Sequence, residues 1–234
     1  MKILAIDTVC KSSSICILDD EKILCDIELN IGKTQSKILL PMLDSALRLS
    51  NLSINDIDII ICANGPGSFT GLRIMLSTIK AIAHTLNLPI FGVDTLCGIS
   101  SCHSEKENLL ICPIIDARNR NVYNAIYYKN KEIVVSNNMS IEEYLKVVEK
   151  IKKELNVEIA YFVGDGIENY REDILLYSPT NIVAEYRNSL NNAYGLYKAY
   201  KNGNAKEYTF DNLSVNYLKK AQAQIDLESG KLIL

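Results

Sequence analysis

The residues Gly65-Pro66-Gly67-Ser68-Phe69-Thr70-Gly71-Leu72-Arg73 have the types and spacing that most invite a chemical reading in this 234-residue chain. They follow a β-type run, Asp58 to Ala63, and precede a long apolar-periodic segment. That order predicts strand, glycine loop, helix. Glycine admits positive φ and lets a backbone come close to a ligand or a neighbouring strand. Ser68 or Thr70 is placed to cap a helix starting near Gly71. The amides at such a start suit an anion such as phosphate. Two acidic residues, Asp7 and Asp116, each end an apolar strand-like run. A carboxylate there either serves a ligand or closes the strand by capping backbone amides.

Other chemistries lack their residue sets. His84 and His103 are the only histidines, nineteen positions apart, and no HExxH occurs. A metal site needs several convergent donors, so none is expected. Both histidines fit surface or helix-end roles. Cys102-His103 is no cysteine–histidine dyad, because adjacent helical residues do not face each other. The seven cysteines are an odd number scattered through apolar runs, with no CxxC. That fits reduced, buried thiols and a cytoplasmic setting.

Composition bounds the rest. With 48% hydrophobic residues the chain can bury a real core. A net charge of −3 offers no basic footprint for nucleic acid, so another subunit would hold any tRNA. No apolar run approaches the roughly 20 residues of a membrane span. Asp7 comes too early for a signal peptide.

The elements that must position these residues read as two passes of one pattern. Strands are expected at Lys2 to Thr8, Ser13 to Leu18 and Lys22 to Leu29, then a helix from Thr34 to Ser50. A strand at Asp58 to Ala63 and a helix from Gly71 to Leu86 follow. A strand at Ile90 to Val93 leads to a helix capped by Asp94 or Thr95 and ending near His103. After the polar link Ser104 to Asn108, strands are expected at Leu109 to Asp116, Val122 to Tyr128 and Glu132 to Ser136. Then come a helix Ile141 to Leu155, a strand Ile159 to Val163 and a helix Ser189 to Tyr200. The fold class is α/β, with β-β-β-α-β-α-β-α duplicated into lobes 1–104 and 105–234, the second less regular.

This duplication, with an aspartate ending the first strand, resembles the acetate kinase, sugar kinase, Hsp70 and actin superfamily of ribonuclease H-like lobes. Within it the chain resembles the bacterial YeaZ family, also called TsaB. The matching residues are Ile3 to Thr8, Leu39 to Leu43, Gly65 to Arg73, Gly92 to Leu96, Ile115 to Arg118, Val122-Tyr123 and Asn216-Tyr217-Leu218. The resemblance implies a non-catalytic scaffold and activator that partners the catalytic, metal-bearing paralogue TsaD. With TsaE and a threonylcarbamoyl-adenylate, the complex places threonylcarbamoyl on an adenosine beside the tRNA anticodon. Many relatives carry a histidine where this chain has Lys33. The rival reading is a stand-alone ATP-dependent phosphotransferase of the same superfamily.

In sugar kinases an aspartate at the Asp7 position helps hold magnesium. The turn Val9-Cys10-Lys11-Ser12 lacks the glycine that a close phosphate approach favours. A vestigial nucleotide cleft is therefore expected around Asp7, Thr8, Gly65, Gly67, Ser68, Thr70, Gly71 and Asp116. No catalytic residue, metal or cofactor is assigned to this chain. The glycine loop then either contacts an anion or shapes the strand–helix connection so that the helix docks on a partner.

The first long helix carries Ile38, Leu39, Leu40, Met42, Leu43, Ala46, Leu47 and Leu49 around an arc of about 200°, wider than one sheet contact needs. The next has a small-residue face of Ile74, Thr78, Ala81 and Thr85 opposite its main apolar stripe. Ile38, Leu39, Met42, Leu43, Ala46, Ile74, Thr78, Ala81 and Thr85 are the expected partner interface, serving TsaD in the complex and a homodimer when alone. Coverage of both faces within the chain is the alternative.

Overall fold

Strand β1 (Lys2–Asp7) is buried from Ile3 onward, which explains its unbroken apolar run. It lies inside a sheet, antiparallel to β2 (Ser13–Asp19) and parallel to β4 (Ile59–Ala63). β3 (Lys22–Leu29) follows β2 around the left-handed Asp20 and forms the sheet edge, so most of its residues keep some exposure. The computed structural model describes residues 1–31, 35–106, 108–185, 192–215 and 218. Lys33, Thr34, Ser189 and the Asn216-Tyr217 pair lie outside the described residues.

Helix α1 (Gln35–Leu49) precedes β4, and α2 (Phe69–Leu86) follows it. Helix α2 begins two residues before the expected start, because Ser68 rather than Thr70 is its N-cap. β5 (Ile90–Val93) pairs parallel to β4, and Asp94 caps α3 (Thr95–Ser101) by accepting from the amides of Leu96 and Cys97.

The second sheet repeats this order. β6 (Leu110–Asp116) is antiparallel to β7 (Asn121–Tyr128), which is antiparallel to β8 (Lys131–Ser140). β6 is parallel to β9 (Ala160–Val163), and β9 is parallel to β10 (Asn181–Val183). The order β10-β9-β6-β7-β8 matches β5-β4-β1-β2-β3 strand for strand and sense for sense. Helix α4 (Ile141–Leu155) starts at a capping box formed by Ser140 and Glu143. Helix α5 (Ile167–Tyr177) lies between β9 and β10.

The structure departs from expectation in three places. Helix α5 and strand β10 were not legible as elements. α5 buries only Ile167, Tyr170 and Ile174, while Leu175, Leu176 and Tyr177 at its end remain exposed and blur its stripe. The third departure concerns α6 (Ala193–Lys201) and β11 (Lys206–Tyr208), which belong by sequence to the second half. β11 pairs antiparallel to β5 and extends the first sheet to six strands. α6 packs on α3 and against β1, β2, β4 and β5. The chain therefore crosses between lobes twice, and the segment 193–208 returns to the first.

That return needs two glycines. A Cβ on Gly98 of α3 would meet the Leu196 side chain, and one on Gly195 of α6 would meet the Gly98 carbonyl and the Cys102 sulfur. The helices touch backbone to backbone, and overpacking such a contact costs about 1–3 kcal/mol. Gly195→Ala is expected to lower unfolding stability by that amount or more, read as a lower urea midpoint with an unchanged slope. An unchanged midpoint would show that α6 does not seat this closely.

Candidate functional site: the interlobe cleft and the outer face of α2

The glycine loop is spent on the chain itself. Gly65 has φ +102, a conformation that favours glycine, and its carbonyl accepts the Thr95 amide at 2.9 Å. The Ser68 amide donates to the Val9 carbonyl at 2.6 Å. The Ser68 hydroxyl accepts the Gly71 amide at 3.2 Å, and the Thr8 hydroxyl donates to the Gly71 carbonyl at 3.0 Å. A Cβ on Gly67 would lie 2.6 Å from the Val9 carbonyl oxygen, and one on Gly71 would collide with that of Thr8. The close approach that these glycines permit is therefore to the turn after β1. Thr70 is exposed, and the Arg73 guanidinium sits 3.8 Å over the Phe69 ring.

Asp7 and Asp116 do the same job in their two lobes. Asp7 is 1% exposed, and its Oδ1 accepts the Val9 amide at 3.0 Å. Asp116 Oδ1 accepts the Arg118 amide at 2.9 Å. Each carboxylate binds the backbone two residues on, the geometry of an Asx turn. Asp116 also accepts from Tyr170 Oη at 3.2 Å and from Asn169 Nδ2 at 2.8 Å. The turn beyond it runs through three left-handed residues, Arg118, Asn119 and Arg120. Arg120 reaches Glu142 and Asp173.

The residues joining the two lobes were missed by sequence reasoning. Lys11, in the turn after β1, donates its amide to Asp165 Oδ2 at 3.2 Å, and its ammonium pairs with Glu168. Asp165 Oδ1 accepts the Asp116 amide at 3.3 Å. The signal was present: Gly164-Asp165-Gly166 follows β9 and opens α5, another strand–glycine–helix junction. Gly164 has φ +101 and lies directly on the Ile114 carbonyl. Asp165 is 7% exposed, and that burial pushes its carboxyl up to about 6. The two amides and the Lys11 charge pull it back down, and the Asp116 charge adds to the rise.

The other candidate chemistries lack support in the geometry. Burial pushes the Cys102 and Cys112 thiols up to about 12, so both stay protonated and unreactive. His103 is buried against the Tyr161 ring, bridging the lobes, while His84 rests on Phe210. Among the described residues, no group of three or more His, Cys, Asp or Glu is placed to hold a metal ion. Among them, too, no helix is long and apolar enough to cross a membrane.

The expected partner interface divides. Ile38, Leu39, Met42, Leu43 and Ala46 are buried within the chain, so their side chains are not available as a free surface. The wide arc of α1 has an internal cause: the helix touches β2, β3 and α2 together. The apolar side chains that α1 leaves outside are Leu40, 59% exposed, and Leu49, 69% exposed. On α2 the second face stays accessible, with Ile74 and Thr78 half-buried and Ala81 and Thr85 exposed. An open groove of roughly 360 Å³ runs between the helices, lined by Leu39, Leu40, Ile74 and Thr78 and rimmed by Ser36 and Arg73.

Comparison with known proteins places this geometry. The family model described as "TsaD: tRNA N6-adenosine threonylcarbamoyltransferase" matches residues 30–224. The Bacillus subtilis "tRNA threonylcarbamoyladenosine biosynthesis protein TsaB" is 31% identical over 154 residues, 64% of this chain and 67% of the relative. A Pseudomonas aeruginosa crystal structure, of an uncharacterized protein with similarity to peptidase YEAZ, superposes with a TM-score of 0.72. It is 20% identical over 93% of this chain and 99% of its own. At fold level, component A of the Acidaminococcus fermentans (R)-2-hydroxyglutaryl-CoA dehydratase reaches 0.50 at 10% identity, covering 87% of this chain and 99% of its own. The chain shares the fold of these structures, two similar α/β lobes.

Asp165 sets a pH dependence. Its folded pKa lies above the unfolded value near 4, so its contribution to stability is full below about pH 4 and is lost as pH rises through about 6. Asp165→Asn removes that titration. Between about pH 4 and 7, the wild-type chain is expected to lose about 1–3 kcal/mol relative to the variant, measured by urea unfolding. A difference that stays flat with pH would show that Asp165 is not desolvated.

Proposed function

The chain belongs to the TsaD-type family in its broad sense and, within it, to the bacterial YeaZ/TsaB group, the non-catalytic paralogue of TsaD; from that premise we propose that it is a scaffold and activator subunit of the tRNA threonylcarbamoyl-transfer complex. Its partners in this reading are TsaD and TsaE, with tRNA held by the complex and a homodimer formed when the chain is alone. Its place is the cytoplasm.

The observation that carries the reading is the outer face of α2. Ile74, Thr78, Ala81 and Thr85 present uncharged groups beside an apolar groove, a kind of surface that marks protein–protein contact. The glycine loop supports it in a second way. An anion at the start of α2 would compete for the Ser68 and Gly71 amides, which are already bonded to Val9 and to the Ser68 hydroxyl. The cleft around Asp7, Thr8, Gly65, Gly67, Ser68, Thr70, Gly71 and Asp116 is thus read as a vestigial nucleotide cleft now held by internal hydrogen bonds. A phosphotransferase would need free phosphate donors and a general base there.

The test separates the interface from the core. Ala81→Glu puts a charge where a partner helix would desolvate it, a change worth several kcal/mol. It is expected to weaken association with TsaD by at least about a hundredfold in sedimentation, with an unchanged circular-dichroism melt. Met42→Glu, on the buried face of α1, is expected to unfold the monomer instead. Undiminished assembly of Ala81→Glu would move the interface off this face.

A further inference from the structure

We propose that Lys11 and Asp165 form a latch that holds the two lobes closed over the cleft, so that breaking it opens the cleft while each lobe stays folded. The latch is anchored on both sides. On the first lobe, the turn carrying Lys11 is clamped by the Ser68 amide on Val9 and by the Asp7 cap. On the second, Asp165 is fixed by the left-handed Gly164 and by the Gly166 amide, which donates to the Ile114 carbonyl at 3.2 Å. One carboxylate then serves both lobes, accepting the Lys11 amide at 3.2 Å and the Asp116 amide at 3.3 Å.

The energetic weight falls on Asp165. The Lys11–Glu168 pair has both side chains 41% exposed, and such pairs contribute little in water. Asp165 accepts two backbone amides from a buried position, and removing its side chain leaves both donors without their bond. Further joins between the lobes, among the described residues, include α3 against β6 and β7, the His103–Tyr161 ring pair and the Asn130 side-chain amide on the Ser104 carbonyl. They act as the hinge about which the latched edge opens. Opening would raise the exposure of Asp7, now 1% exposed, and of the half-buried Asp116.

The experiment follows the amide of residue 11 by hydrogen exchange in the full chain, with small-angle scattering on the same samples. In Asp165→Ala that amide is expected to exchange at least about tenfold faster. Ile6 and Ile114, inside β1 and β6, should keep wild-type rates, and the particle's radius of gyration should grow. Wild-type exchange at residue 11 would overturn the latch. Equal acceleration at Ile6 and Ile114 would also overturn it, since the lobes would then be unfolding together. Should Asp165→Ala fail to fold, Lys11→Glu sets like charges against Asp165 and Glu168 and is expected to give the same fast exchange. Adding Glu168→Lys should restore slow exchange, and a double variant as open as the single one would contradict the proposal.

Discussion

Everything else in the first lobe depends on the contact between the glycine loop and the backbone of Thr8 and Val9. Two hydrogen bonds close it, from the Ser68 amide to Val9 and from the Thr8 hydroxyl to Gly71. Side chains at 67 and 71 would prevent it. The contact fixes where α2 starts, hence which residues of α2 face the core and which face outward. With Leu72, Met75, Leu76, Ile79 and Ala83 turned inward, the face of Ile74, Thr78, Ala81 and Thr85 is left outside. A loop with the composition of an anion site thus serves to aim a helix.

The same economy recurs in the second lobe. Asp116 caps its own turn as Asp7 does, and Gly164 lies on Ile114 much as Gly71 lies on Thr8. What differs is the tenant of the turn. The first lobe places Lys11 there, which reaches Asp165 and Glu168 across the cleft. The second places Arg118 and Arg120, of which Arg120 stays within its own lobe on Glu142 and Asp173. Both turns carry a cation paired with carboxylates, but in the first lobe the pair crosses to the other lobe and in the second it stays within its own.

The sheet order was legible because central strands such as β1, β4 and β6 read as short apolar runs between turn residues. Helix α4 was legible over its full span, and the structure starts it at the Ser140–Glu143 capping box. α5 was not, because Leu175 and Leu176 put apolar residues on its exposed side. The return of α6 and β11 to the first lobe rests on Gly98, Gly195 and the Tyr208 ring over Gly92, and these are tertiary facts with no periodicity to announce them. On α1, most of the wide apolar arc is buried, since a helix set against strands and a second helix uses more of its circumference than one on a flat sheet, while Leu40 and Leu49 stay outside. For Asp7 and Asp116, hydrogen bonds to Val9 and Arg118 favour the capping role over the ligand role.

The most direct measurement is threonylcarbamoyl transfer to tRNA in a reconstituted mixture of TsaD, TsaE and threonylcarbamoyl-adenylate. It compares three conditions: no added chain, the wild-type chain, and Asp7→Asn, which keeps the capping oxygen but removes the charge. The account predicts no product without the chain and equal product with either form. Full turnover in the absence of the chain, or a folded and assembled Asp7→Asn that supports none, would contradict a scaffold that takes no part in the chemistry.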